Sequence, residues 1–219
     1  MHTTTNQPGG SVLASLRALA PVHPMTLDEA LRLAERQAGL LLELCDATAV
    51  PVPTSIVTNQ PRITVERDPE LPAHAASGCS DWDSHRRTWL ISLNPTEPRS
   101  RQRFTVLHEY KHIIDHYHPG LTGRLPRTVY GLEPVEYVAE YFAGCVLIPK
   151  RLLAAAYYDG IQRPADLAQL FDVSQEAILV RLRQIGLAEP LPANHHRRIT
   201  PVRATRYYRN ATQMVELAV

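Results

Sequence analysis

His108, Glu109 and His112 stand in the spacing HExxH. On an α-helix, residues i and i+4 lie one above the other, so both imidazoles face the same side. Two neutral imidazoles placed in this way hold Zn²⁺, and the carboxylate beside the first reaches water at the metal. A helix with two incidental histidines would show the same letters and do nothing. A catalytic zinc site takes three protein ligands and leaves one position open, so the third ligand decides between the two readings.

Two residues compete for that place. His118 falls at the third-histidine spacing of HExxHxxGxxH, but that pattern needs Gly where this chain has Asp115. It also needs a downstream methionine turn, and the only later methionine is Met214. Glu136 is the better candidate, because a glutamate on a second packed helix closes a site of the HExxH…E kind. Glu140, one turn further on, is placed to accept the other ring N–H of a liganding histidine. Both glutamates interrupt an otherwise apolar run of Val135, Val138, Ala139, Phe142 and Ala143, which argues against a merely solvated acidic stripe.

The elements that must position these residues are legible around them. Phe104, Leu107, Ile113 and Ile114 make an apolar stripe, with neither Gly nor Pro before Pro119, and predict a helix through the motif. Glu133-Pro134 opens the next helix, which runs to Pro149. Upstream, Thr26 and Glu29 form a capping box for a helix over 26–45. Alternation predicts strands at 62–67 and 88–93, paired antiparallel, with a loop across 69–85. Such a strand beside a metal site is able to pair with an extended peptide. Downstream, a helix is expected over 150–159. Two more follow, joined by a tight turn, with Ser174 as the second N-cap and Gly186 as the stop.

Arg103-Phe-Thr-Val-Leu-His-Glu-Tyr-Lys-His-Ile-Ile-Asp-His116, followed by Glu136-Tyr-Val-Ala-Glu-Tyr-Phe-Ala-Gly-Cys-Val-Leu-Ile-Pro149, resembles the ImmA/IrrE family of metallopeptidases. With the strand ending at Asn94 and the helical pair near the end, the resemblance covers roughly residues 30–188. It implies His108, His112 and Glu136 as ligands of one Zn²⁺ (Mn²⁺ being the alternative) and Glu109 as the catalytic carboxylate. His116 matches a histidine often found at that place. Lys111 replaces a common Gly and Glu140 a common Asn; Lys111 is expected on the side of the helix away from the histidines. The motif supplies no oxyanion donor, for which Tyr130, His116 and His118 are the candidates.

The expected fold is α+β. A mainly helical zincin-like core with a small antiparallel sheet spans 25–160, and a helix-turn-helix-like helical subdomain spans 161–188. A flexible N-terminus (1–24) and a basic C-terminal tail (189–219) flank them. A 219-residue chain with 44% hydrophobic and 21% charged residues buries a real core and is not a disordered chain. Its net charge of +1 gives no overall pull toward nucleic acid or anionic lipid. Cys45, Cys79 and Cys145, odd in number and without CxxC spacing, suggest neither a disulfide framework nor a thiolate zinc site. Without a signal-like segment or a run of membrane-spanning length, the expectation is a cytoplasmic protein.

The family resemblance implies a helix-turn-helix repressor as protein substrate, cleaved to derepress stress or mobile-element genes. A reading helix exposing Gln175, Glu176, Arg181, Arg183 and Gln184 would suit a major groove. The segment around it is close to charge-balanced, however, and favours a structural or protein-docking use. The rival to the enzyme is a DNA- or partner-binding regulator, including a toxin–antitoxin component, whose metal site is structural or vestigial.

Overall fold

The computed structural model describes residues 11–71, 77–116 and 133–188. His118, Tyr130 and the tail from 189 lie outside them. The described elements run α1 (Val12–Ala18), α2 (Leu27–Leu44), α3 (Ser55–Thr58), β1 (Ile63–Arg67), β2 (Gly78–Asp83), β3 (Thr88–Leu93), α4 (Arg99–Asp115), α5 (Pro134–Leu147), α6 (Lys150–Tyr158), α7 (Pro164–Phe171) and α8 (Gln175–Gln184). The fold is α+β.

Helix α4 is the centre. The sheet packs on it through β2 and β3, α5 packs along another side, and α5 in turn lies against α2. Burial therefore extends around most of α4, from Arg103 to Ile114, beyond the one apolar stripe. Several of its buried polar side chains find partners inside the protein. The Thr105 hydroxyl donates to Arg101 O and the Tyr110 hydroxyl to Gln60 Oε1. Arg103, 7% exposed, donates through Nη2 to Val52 O at 2.9 Å and Phe171 O at 3.5 Å. Its Nε lies 3.4 Å from Asp172 Oδ2, an ion pair rather than an aligned hydrogen bond.

The sheet is mixed, in the order β1-β3-β2, and not wholly antiparallel as expected. β1 runs parallel to β3, and β2 antiparallel to it. The reason is an unforeseen strand. β2 occupies part of the expected loop, so the chain reverses between β1 and β3 and reverses again, returning β3 to the direction of β1. The sequence Gly78-Cys-Ser-Asp-Trp-Asp83 has low strand propensity, and pairing with β3 overrides it. The Trp82–Trp89 pair, 5.4 Å between ring centroids, contributes across the two strands.

Residues 12–18 lie in the N-terminus expected to be flexible, but Val12–Leu19 also carries a brief helical pattern, and the segment forms α1. Ser11 caps it and Leu16 is fully buried. The Arg17 guanidinium donates to Ile113 O at 2.6 Å and Ile114 O at 3.2 Å, covering carbonyls that the end of α4 leaves open. α2 carries the expected capping box. α3 is a single turn without a side-chain cap bond, too short for periodicity to reveal.

Helices α7 and α8 pack on each other, and α8 packs on α5. Arg181, expected on an exposed reading face, is 2% exposed. Its Nε donates to Ile148 O at 3.2 Å, and its guanidinium lies 5.5 Å from the centre of the Tyr141 ring. The ring and the carbonyl give the cation a place inside, so Arg181 does not face a groove.

Candidate metal centre

Three donors converge where α4 passes the first turn of α5. His108 and His112 project from α4 one turn apart, as their spacing requires. Their Nε2 atoms are 3.1 Å apart. Glu136, placed on the first turn of α5 by the helix start at Pro134, has Oε2 3.2 Å from His108 Nε2 and Oε1 3.5 Å from His112 Nε2. Two nitrogens bound tetrahedrally at about 2.0–2.1 Å from zinc would lie roughly 3.3 Å apart. The observed spacing is close to that, with a carboxylate closing the third side.

The electrostatics suit a cation. Burial works to raise the pKa of Glu136, but hydrogen bonds and charge from His108 and His112 outweigh it and hold the carboxyl well below the usual range. At His112 burial works downward, yet Glu136, Glu109 and Asp115 prevail and the imidazole is pushed up. Glu109 lies beside this cluster, 3% exposed. Its Oε2 accepts a hydrogen bond from the Ser80 hydroxyl at 2.9 Å, while its buried Oε1 has no partner among the described residues. An unpartnered buried carboxylate oxygen is costly unless something polar is to meet it. The donor set (two imidazoles, one carboxylate and a neighbouring carboxylate with a free oxygen) fits a metal with an open position.

The other expected residues fall around this core. Glu140 is half-buried one turn beyond Glu136 and has partners of its own. It does not serve His108, whose buried Nδ1 has no hydrogen bond among the described residues. His116 ends α4 and sets its ring edgewise on Trp89, 4.6 Å between centroids. Burial, then the charge of Arg17, lowers its pKa. Lys111 is fully buried, with Nζ bonded to Asp115 Oδ1 one turn on. The one partner of Glu109 that sequence reasoning missed is Ser80, because its strand was read as loop; nothing in the local pattern marks it.

A peptidase family model described as the IrrE N-terminal-like domain matches residues 67–183, a span that holds every part of this cluster. The chain belongs to the IrrE N-terminal-like domain family. That assignment brings a metallopeptidase family and a His-His-Glu cluster suited to a metal onto the same residues. No curated protein matches the IrrE-like chain in sequence. Among solved structures, a Mycobacterium tuberculosis transcriptional regulator is similar at 16% identity and a TM-score of 0.42, covering 79% of this chain and 52% of that one. The chain thus spans about half the length of that regulator.

Proposed function

We propose that this IrrE-like chain is a zinc-dependent endopeptidase. The observation that carries the reading is the convergence of His108, His112 and Glu136 beside a Glu109 with one oxygen that has no partner among the described residues. His108, His112 and Glu136 would hold the ion. A bound Zn²⁺ supplies Lewis acidity, which makes water acidic near neutral pH and polarises a peptide carbonyl. Glu109 Oε1 takes a proton from the attacking water and passes it to the departing amine nitrogen. Glu136 keeps its negative charge through the cycle, since its carboxyl is held well below the usual range. β2, an edge strand among the described residues, offers its outer backbone to an extended peptide next to Glu109.

The substrate class we propose is a helix-turn-helix repressor, on the strength of the family resemblance, with cleavage relieving repression of stress or mobile-element genes. Action in the cytoplasm fits this substrate. Among the described residues no helix is long and apolar enough to cross a membrane.

The test pairs metal analysis with cleavage of a repressor encoded beside this chain, with and without chelator. Wild type should carry one zinc and cut. Glu109→Gln should keep the zinc and lose cleavage by at least about a hundredfold. His108→Ala and Glu136→Ala should lose both. Cleavage by Glu109→Gln at the wild-type rate would falsify the assignment of the base. Full metal occupancy without cleavage, together with tight repressor binding, would favour a partner-binding regulator instead.

A further inference from the structure

The Ser80 hydroxyl meets the carboxylate next to the metal ligands, and the strand that carries it has an unusual approach to α4. Ser77 O accepts from Asn94 N at 3.0 Å at the start of the β2–β3 ladder. In an antiparallel pair, such bonded positions alternate with unbonded ones. Gly78, Ser80 and Trp82 therefore turn their backbone groups away from β3. Side chains also alternate, so Gly78, Ser80 and Trp82 share one face of the sheet with Leu93, Ile91 and Trp89. That face lies on α4. A Cβ added at Gly78 would stand 2.5 Å from Thr105 Cγ2, which shows how closely the strand and helix are set. Two residues along β2 and one turn along α4, the next rung brings Ser80 to Glu109 at 2.9 Å.

One carboxylate oxygen of Glu109 is thus held, and the other has no partner among the described residues. A carboxylate on two methylene groups turns readily unless an oxygen is tethered. A buried base that must meet a water within hydrogen-bond reach gains rate from being held in place.

We propose that Ser80 is a positioning residue for Glu109: its hydroxyl fixes Oε2, presents Oε1 as the proton acceptor and ties the base to strand β2. The inference rests on the endopeptidase reading for its catalytic meaning, but the geometry is testable without it. A purely structural role for the Ser80 bond would change stability or metal content rather than turnover alone.

The experiment uses the full chain as wild type, Ser80→Ala, Ser80→Val and Ser80→Thr. Zinc content by elemental analysis should be the same in all four. Crystal structures of wild type and Ser80→Ala should show the Glu109 carboxylate in one orientation in the first and turned or in several orientations in the second. On the repressor assay described above, Ser80→Ala and Ser80→Val should lose about 10- to 100-fold in kcat while KM moves less than about twofold. Ser80→Thr, which keeps the hydroxyl and suits a strand, should stay within about threefold of wild type. Loss of zinc in Ser80→Ala would overturn the proposal. So would an unchanged Glu109 orientation, kcat within about twofold of wild type, or Ser80→Thr no better than Ser80→Val. If wild type cuts no repressor, the endopeptidase reading fails by itself, while the crystallographic comparison still decides whether Ser80 orients Glu109.

Discussion

Gly78→Ala is the sharpest probe of how the sheet is set against the metal helix. The added methyl would stand 2.5 Å from Thr105 Cγ2 and 2.7 Å from Ser92 O. Neither neighbour yields easily. Ser92 O belongs to the central strand, and Thr105 is fully buried with its hydroxyl bonded to Arg101 O at 3.0 Å, which fixes its rotamer. Ordinary contact needs about 3.5–4.0 Å, so β2 must retreat from α4 by roughly 1 Å. A hydrogen bond of 2.9 Å between Ser80 and Glu109 does not survive that retreat. Overpacking costs about 1–3 kcal/mol and the lost bond about 1 kcal/mol, giving roughly 2–4 kcal/mol together. For a chain of this size that lowers Tm by roughly 5–15 °C. Gly39→Ala is the control: Gly39 lies within α2 with nothing within 4 Å of its added Cβ, so it should gain about 0.5–1 kcal/mol. Scanning calorimetry on the two variants reads the difference directly. Equal stability of the two alanine variants would refute the close strand–helix approach.

Other consequences are testable alongside. Arg103→Met strips a buried cation from two carbonyls and from Asp172, and urea unfolding should show a loss of about 2–4 kcal/mol; Arg103→Lys should recover less than half of it. Arg181→Ala should lower the melting temperature by removing the bond to Ile148 O and the stack on Tyr141. Any weak affinity of the chain for duplex DNA should stay the same in that variant. The metal-free protein should have a stability optimum in pH. The Glu136 contribution is complete above 4.5 and lost as pH falls through its depressed folded value, while that of His112 is complete below 6.5 and lost as pH rises through its raised one. Metal-free stability should thus be greatest between pH 4.5 and 6.5, whereas the gain from added zinc should grow with pH as protons stop competing. Thermal melts with chelator and with zinc across that range check both signs.

The meeting of α4 and α5 was legible because its determinants are local. HExxH spacing sets two histidines on one face, and Glu136 stands out as a carboxylate within an otherwise apolar run. Helix α2 announced itself by a capping box, and β3 by a β-branched and aromatic run. What escaped is set by tertiary partners. Gly78, Ser80 and Asp81 make a poor strand alone and become one only against β3, and missing that strand also reversed the expected direction of β1. The burial of Lys111 and Arg181 was hidden for a related reason: a charged side chain reads as surface until its internal partner, Asp115 or Ile148 O, is in view. Arg17 looked like part of a frayed end because the carbonyls it covers belong to residues about a hundred positions away.

Arg103 ties the metal helix to the order in which the chain is made. Its guanidinium needs Val52, synthesised long before it, and Phe171 and Asp172, synthesised long after. While the chain is still growing, α4 holds a cation that burial would leave half-paired, and an unpaired buried charge opposes docking. A chain cut before α7 would leave Arg103 with Val52 O and without Phe171 O and Asp172, so the helix bearing His108 and His112 should pack less firmly in it.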